Sequence, residues 1–187
     1  MITIVSGLPR CGTSMMMQIL EAGGLPVMTD GLREADSDNP MGYYELEKVK
    51  QIKEDSSWIP EAEGKVFKMI SQLLYDLPAD REYKIVFMLR KMEELLASQS
   101  VMLKNLGKNP GDSDDDVMKQ YFERHVEKLK DWLKEQQNIQ VLNCFYNDIM
   151  GDPETHVQRI NEFFDGSLNA EAMLGVIKPD LHRQRQK

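Results

Sequence analysis

The chain has 187 residues, 41% of them apolar and 29% charged, with 23 basic against 31 acidic side chains for a net charge of −8. These values fit one globular domain over residues 1–187, long enough to bury roughly two-thirds of its unfolded surface. The acidic balance argues against a nucleic-acid partner, and no apolar run approaches the ~20 residues that cross a bilayer, so no membrane partner is expected either.

The first residues, "MITIVSGLP", carry no basic leader ahead of an apolar segment, and the two cysteines, Cys11 and Cys144, form no disulfide framework; a cytoplasmic location is the expectation. Residues 2–6, "ITIVS", are apolar and β-branched and predict a strand that stops at Gly7-Leu8-Pro9, followed by a helix from Thr13 to about Glu21 before Gly23-Gly24. The turn between them, "GLPRCGTS", places Gly7 and Gly12 at the spacing of the phosphate-binding motif G-x-x-x-x-G-K-[ST], yet the lysine position holds Thr13, with Ser14 behind it and Arg10 inside. A glycine-rich turn opening a helix aims backbone N–H groups at one point where the helix dipole is also positive. Hydroxyls from Thr13 and Ser14 and the guanidinium of Arg10 suit an anion there. Read alone, the same stretch also serves as an ordinary strand-to-helix turn capped by Thr13. A phosphatase loop built on Cys11 would need an arginine six residues on, where Met17 stands.

Residues 29–63 show no apolar period and contain the acidic run "TDGLREADSDN", so loops are expected there. Further strands are predicted at "KVFKMI" (65–70), "YKIVFML" (83–89) and "IQVLNCF" (139–145), with helices over about 92–105 and about 153–164. "LGKNPGDSDDD" (106–116) reads as an exposed loop. After it, Met118, Tyr121, Phe122, Val126, Leu129 and Leu133 predict one apolar stripe along a helix of about twenty residues. Strands alternating with helices give an α/β fold, a three-layer parallel sheet with helices on both faces. His125, His156 and His182 have no metal-ligand spacing, and no metal is expected.

Three segments, in order, resemble the sulfotransferase family. "GLPRCGTSMMMQILEAGG" is similar to the family's 5′-phosphosulfate loop, in which lysine or arginine stands where Arg10 does. "IVFMLRKMEELLASQ" is similar to its 3′-phosphate segment, an arginine closing a strand with a serine eight residues on, here Arg90 and Ser98. "VLNCFYNDIMGDPETHVQRINEFF" is similar to a late strand followed by Y-E-D-L, with Asn147 in place of the middle acid. The resemblance implies a P-loop nucleoside triphosphate hydrolase-like fold and a sulfuryl donor, 3′-phosphoadenosine 5′-phosphosulfate (PAPS). On that basis Pro9, Arg10, Cys11, Gly12, Thr13, Ser14, Arg90 and Ser98 are expected to hold the nucleotide, without a metal, while a hydroxyl or amine of an unidentified acceptor receives the group. The resemblance also implies a carboxylate base about two dozen residues after the loop. Asp30 is nearest that position, Glu34 follows, and Asp36 and Glu45 are alternatives; Arg10 is expected to stabilise charge during transfer. Tyr43 and Tyr44 are candidates for an acceptor pocket, and Lys68 for a contact to the donor sulfate. Compared with the family the chain is short and lacks a basic glycine-rich loop near its end, "KPDLHRQRQK", where Arg183 and Arg185 are the nearby cations. A magnesium-dependent nucleotide or metabolite kinase and a non-catalytic nucleotide-binding module are the competing readings, and the missing lysine weighs against the first.

Overall fold

The computed structural model describes residues 1–32, 39, 42–105, 107 and 115–178. Four parallel strands, β1 (Ile2–Gly7), β2 (Val66–Ile70), β3 (Tyr83–Leu89) and β4 (Ile139–Phe145), lie in the order β2-β1-β3-β4. Helices α1 (Thr13–Ala22), α2 (Met92–Asn105), α3 (Asp115–Glu135), α4 (Tyr146–Gly151), α5 (Pro153–Phe163) and α6 (Ala170–Gly175) surround them. The predicted strands and the four long helices match to within a residue or two at most ends; the central strands β1 and β3 are apolar runs buried on both faces, whereas the edge strands β2 and β4 are partly exposed. Loop expectations for residues 108–114 lie outside the described residues.

Alternation along the strands builds two cores. Val5, Val86, Met88, Leu142 and Cys144 face α1, α5 and α6, where Met16, Ile19, Leu20, Val157 and Ile160 meet them. Ile4, Phe67, Met69, Ile85 and Phe87 face the opposite side, closed by Leu129 and Leu133 of α3 and by Val49, Ile52, Trp58 and Ile59 from the segment before β2. That segment, expected to be loop, is organised by short 3-10 helices at Glu47–Gln51 and Ile59–Ala62. The α3 stripe needs one correction: Phe122, Leu129 and Leu133 are buried, whereas Tyr121 is 59% exposed. Tyr121 lies one residue, about 100° of helix rotation, from the position that packs.

The strand order sets the location of a site. The chain leaves β1 toward β2 on one side and leaves β3 toward β4 on the other, so the carboxyl ends of β1 and β3 flank a switch point, where open parallel sheets bind ligands. Register pairs Gly7 with Met88, which brings the glycine loop beside Arg90. Among the described residues, no helix is long and apolar enough to cross a membrane.

Candidate active site

A cavity of about 420 Å³ opens at this switch point. The loop from Gly7 to Ser14, Arg90, Ser98, Tyr146 and Lys178 line one side; Asn39, Tyr43, Glu45 and Lys68 line the other. Such a volume is in the range of small-molecule sites.

Local backbone geometry explains the loop composition. Gly7 has φ 152°, and a Cβ there would stand 2.5 Å from the Cys11 sulfur and 2.6 Å from the Met88 carbonyl oxygen. Gly12, at φ 96°, is the N-cap of α1; a Cβ on it would meet the Tyr146 ring at 2.5 Å. Gly12 itself offers no side chain to cap the first turn of α1. The leading amides of α1 therefore lack a helical partner and suit an anion. Thr13 is thus the first helical residue rather than the cap.

Arg10 sits at φ 71°, the left-handed region that side chains rarely adopt. Two contacts oppose that strain. The Arg10 Nε donates to Ser98 Oγ at 3.0 Å, and an Arg90 terminal nitrogen donates to the Arg10 carbonyl at 3.2 Å. Arg90 in turn lies over the Tyr146 ring, 4.4 Å from its centroid, and its Nε meets Glu94 at 3.2 Å. Arg10 thus converges on one wall with Arg90 and Ser98, which lie 80 and 88 residues further along the chain.

Cys11 differs in role from its loop neighbours. Its thiol turns away from this cavity into the interior, where burial pushes it up to about 12 against the opposing field of Arg90. The side chain is therefore a neutral thiol.

On the opposite wall, Ser14 Oγ donates to the Tyr43 carbonyl at 3.4 Å and accepts from Asn39 Nδ2 at 2.9 Å. The Lys68 ammonium, reaching from β2, donates to the same Tyr43 carbonyl and lies 5.9 Å from the Tyr43 ring centroid. Tyr43 is buried on the cavity wall; Tyr44 instead turns to α1, where its hydroxyl donates to Glu21 at 2.6 Å.

The carboxylate nearest in sequence to the expected base position does other work. Asp30 does not line the cavity: it is exposed and accepts from the Glu47 amide at 2.5 Å and the Leu32 amide at 3.0 Å. The Glu47 amide first, and the Leu32 amide second, hold its carboxyl below the usual range. Glu45 is the carboxylate that lines the cavity among the described residues. Sequence distance ranks it only as an alternative, yet Glu45 stands beside the Asp30 turn: the Thr29 hydroxyl and the Asp30 amide both donate to the Glu45 carbonyl. Glu34 and Asp36, like Arg183 and Arg185, lie outside the described residues. Among the described residues, no cluster of three or more His, Cys, Asp or Glu side chains could hold a metal.

The sequence profile of the sulfotransferase domain matches residues 2–179. A solved structure of a sulfotransferase from Alicyclobacillus acidocaldarius superposes with a TM-score of 0.50 at 15% identity, covering 96% of this chain and 87% of that one. The likeness extends to the fold. A sulfotransferase domain from the curacin biosynthetic pathway aligns with a TM-score of 0.49 at 14% identity, covering 100% of this chain and 78% of that one. No curated protein sequence matches the chain.

Proposed function

The chain belongs to the sulfotransferase domain family, and from that premise we propose that it is a single sulfotransferase-like domain transferring a sulfuryl group from PAPS to a hydroxyl or amine acceptor. The observation that carries this reading is the convergence of Arg10, Ser98 and Arg90 around a glycine loop without the phosphate-bridging lysine. Two permanently charged guanidiniums and the uncapped start of α1 supply the counter-charge that a nucleoside triphosphatase takes from lysine and magnesium.

The loop amides, Thr13 and Ser14 hold the bridging 5′-phosphate. Arg90 and Ser98 recognise the 3′-phosphate. Lys68 reaches the transferring sulfuryl group from β2, while Glu45, across the cavity, accepts the acceptor's proton; Asp30 and Glu34 are the competing assignments. The acceptor oxygen or nitrogen attacks sulfur as the bond from sulfur to the 5′-phosphate oxygen breaks. That oxygen keeps the electron pair, the acceptor's proton passes to the carboxylate, and the products are a sulfate ester or sulfamate and adenosine 3′,5′-bisphosphate. Because charge builds on the departing phosphate, the Arg10 contact strengthens in the transition state. Alignment and electrostatics suffice for such in-line transfer.

A direct test incubates the protein with sulfur-35-labelled PAPS and panels of phenols, sugars and amines, without divalent metal. Labelled product matched by stoichiometric adenosine 3′,5′-bisphosphate supports the reading. Metal-dependent transfer from ATP to the same acceptors would replace it with a kinase.

A further inference from the structure

Glu94, on the first turn of α2, is a carboxylate only 2% exposed. Both of its oxygens accept from Asn147 Nδ2, at 3.0 and 3.1 Å, and one also meets the Arg90 Nε at 3.2 Å. Asn147 Oδ1 accepts the Lys91 amide at 3.3 Å, so a single amide side chain reads the carboxylate and the turn that carries Arg90. The far side of the guanidinium lies on Tyr146, whose ring fills the space that a side chain at position 12 would need. One terminal nitrogen of Arg90 then reaches the carbonyl of strained Arg10.

We propose that Glu94 and Asn147 are positioning residues for the anion-binding loop: together they fix the plane of the Arg90 guanidinium, and through it the left-handed backbone of Arg10. The inference deepens the sulfotransferase reading and rests on it for the identity of the anion. A buried acid beside an anion site is otherwise unfavourable, since it cancels one positive charge where negative charge must bind. What it supplies in exchange is a guanidinium held in one orientation before the ligand arrives. Asn147 is the required partner because an amide donates to the carboxylate, whereas an acid there would set like charges together in a buried site.

Two variants separate positioning from simple charge. Glu94→Gln keeps the shape but removes the negative charge, so electrostatics alone predicts tighter binding of adenosine 3′,5′-bisphosphate. Positioning predicts binding weaker by about tenfold, the scale for losing a supporting contact behind a ligand-binding group. Asn147→Ala removes the amide without adding a charge, so positioning predicts bisphosphate binding weaker by about tenfold, whereas electrostatics alone predicts no change.

A second readout needs no nucleotide. Cys11 lies in the loop and Cys144 in β4, both buried and both with thiols raised to about 12 by burial. Alkylation followed by mass spectrometry should show Cys11 reacting about tenfold faster in Glu94→Gln while Cys144 keeps its wild-type rate. Equal acceleration of both thiols, or unchanged Cys11 reactivity with tighter bisphosphate binding, overturns the proposal. Should Glu94→Gln fail to fold, Asn147→Ala carries the same test, with bisphosphate binding weakened about tenfold supporting it and wild-type affinity overturning it. Failure of the wild-type protein to bind the bisphosphate refutes the sulfotransferase reading instead, and the Cys11 to Cys144 ratio then decides the positioning role alone.

Discussion

The two walls of the cavity are built differently. The wall carrying Arg10, Arg90, Ser98 and Tyr146 is built from the segments that follow β1, β3 and β4, and its groups lock one another through part-buried contacts: Glu94 on Arg90, Arg90 on the Arg10 carbonyl, Arg10 on Ser98. The facing wall, with Asn39, Tyr43 and Glu45, comes from a segment with no strand or long helix among its described residues, held by hydroxyl and amide bonds. On the proposed reading the locked wall takes the donor and the facing wall the acceptor, because connecting segments change without disturbing the sheet.

That contrast can be broken most sharply at Glu45. Glu45→Gln should lower turnover by about three orders of magnitude while changing the bisphosphate dissociation constant less than about threefold, measured by steady-state kinetics and titration. Loss of binding in parallel with turnover would make the second wall part of the donor site. On the first wall, Gly7→Ala forces a methyl group against the Met88 carbonyl, with no flexible neighbour on that side to yield. A loss of about 3 kcal/mol in urea denaturation is expected.

Arg90→Lys retains a charge beside Glu94 but removes the planar fork. It should cost about tenfold more in affinity for adenosine 3′,5′-bisphosphate than for adenosine 5′-phosphate; equal losses would remove the 3′-phosphate from its role. The smallest effect is expected at Asp30. Asp30→Asn should change turnover less than about twofold, because its carboxylate serves backbone amides outside the cavity. Its folded pKa lies below the unfolded value. The stabilisation is thus full above the ordinary carboxylate range and is lost as pH falls through the folded value. Thermal unfolding of the wild type should therefore lose ground in acid relative to Asp30→Asn, and coincident profiles would contradict the assignment.

The same contrast explains what could be read from sequence. Strands such as "ITIVS" and "YKIVFML" are legible because burial on both faces leaves only apolar, mostly β-branched or aromatic choices. The glycine loop is legible because its backbone demands two glycines at fixed spacing. Glu45 could be read only as one of several carboxylates, since sequence distance from the loop does not say which of them lines the cavity; Thr29 and Glu45, sixteen residues apart, are joined by a hydrogen bond. The Glu94 and Asn147 pair was equally hidden: 53 residues separate them, and neither residue type in isolation signals a buried contact. The exposure of Tyr121 shows a milder limit, in which one residue of helix phase decides between core and solvent.

The proposed site takes a 3′-phosphorylated adenosine nucleotide with arginines where phosphate loops of nucleoside triphosphatases use lysine and a metal. Calorimetric titration with adenosine 3′,5′-bisphosphate in the presence of a chelator, beside ADP with magnesium, decides between the two. Micromolar binding of the bisphosphate and none of magnesium ADP is expected; tight magnesium ADP binding with no bisphosphate binding would overturn the assignment.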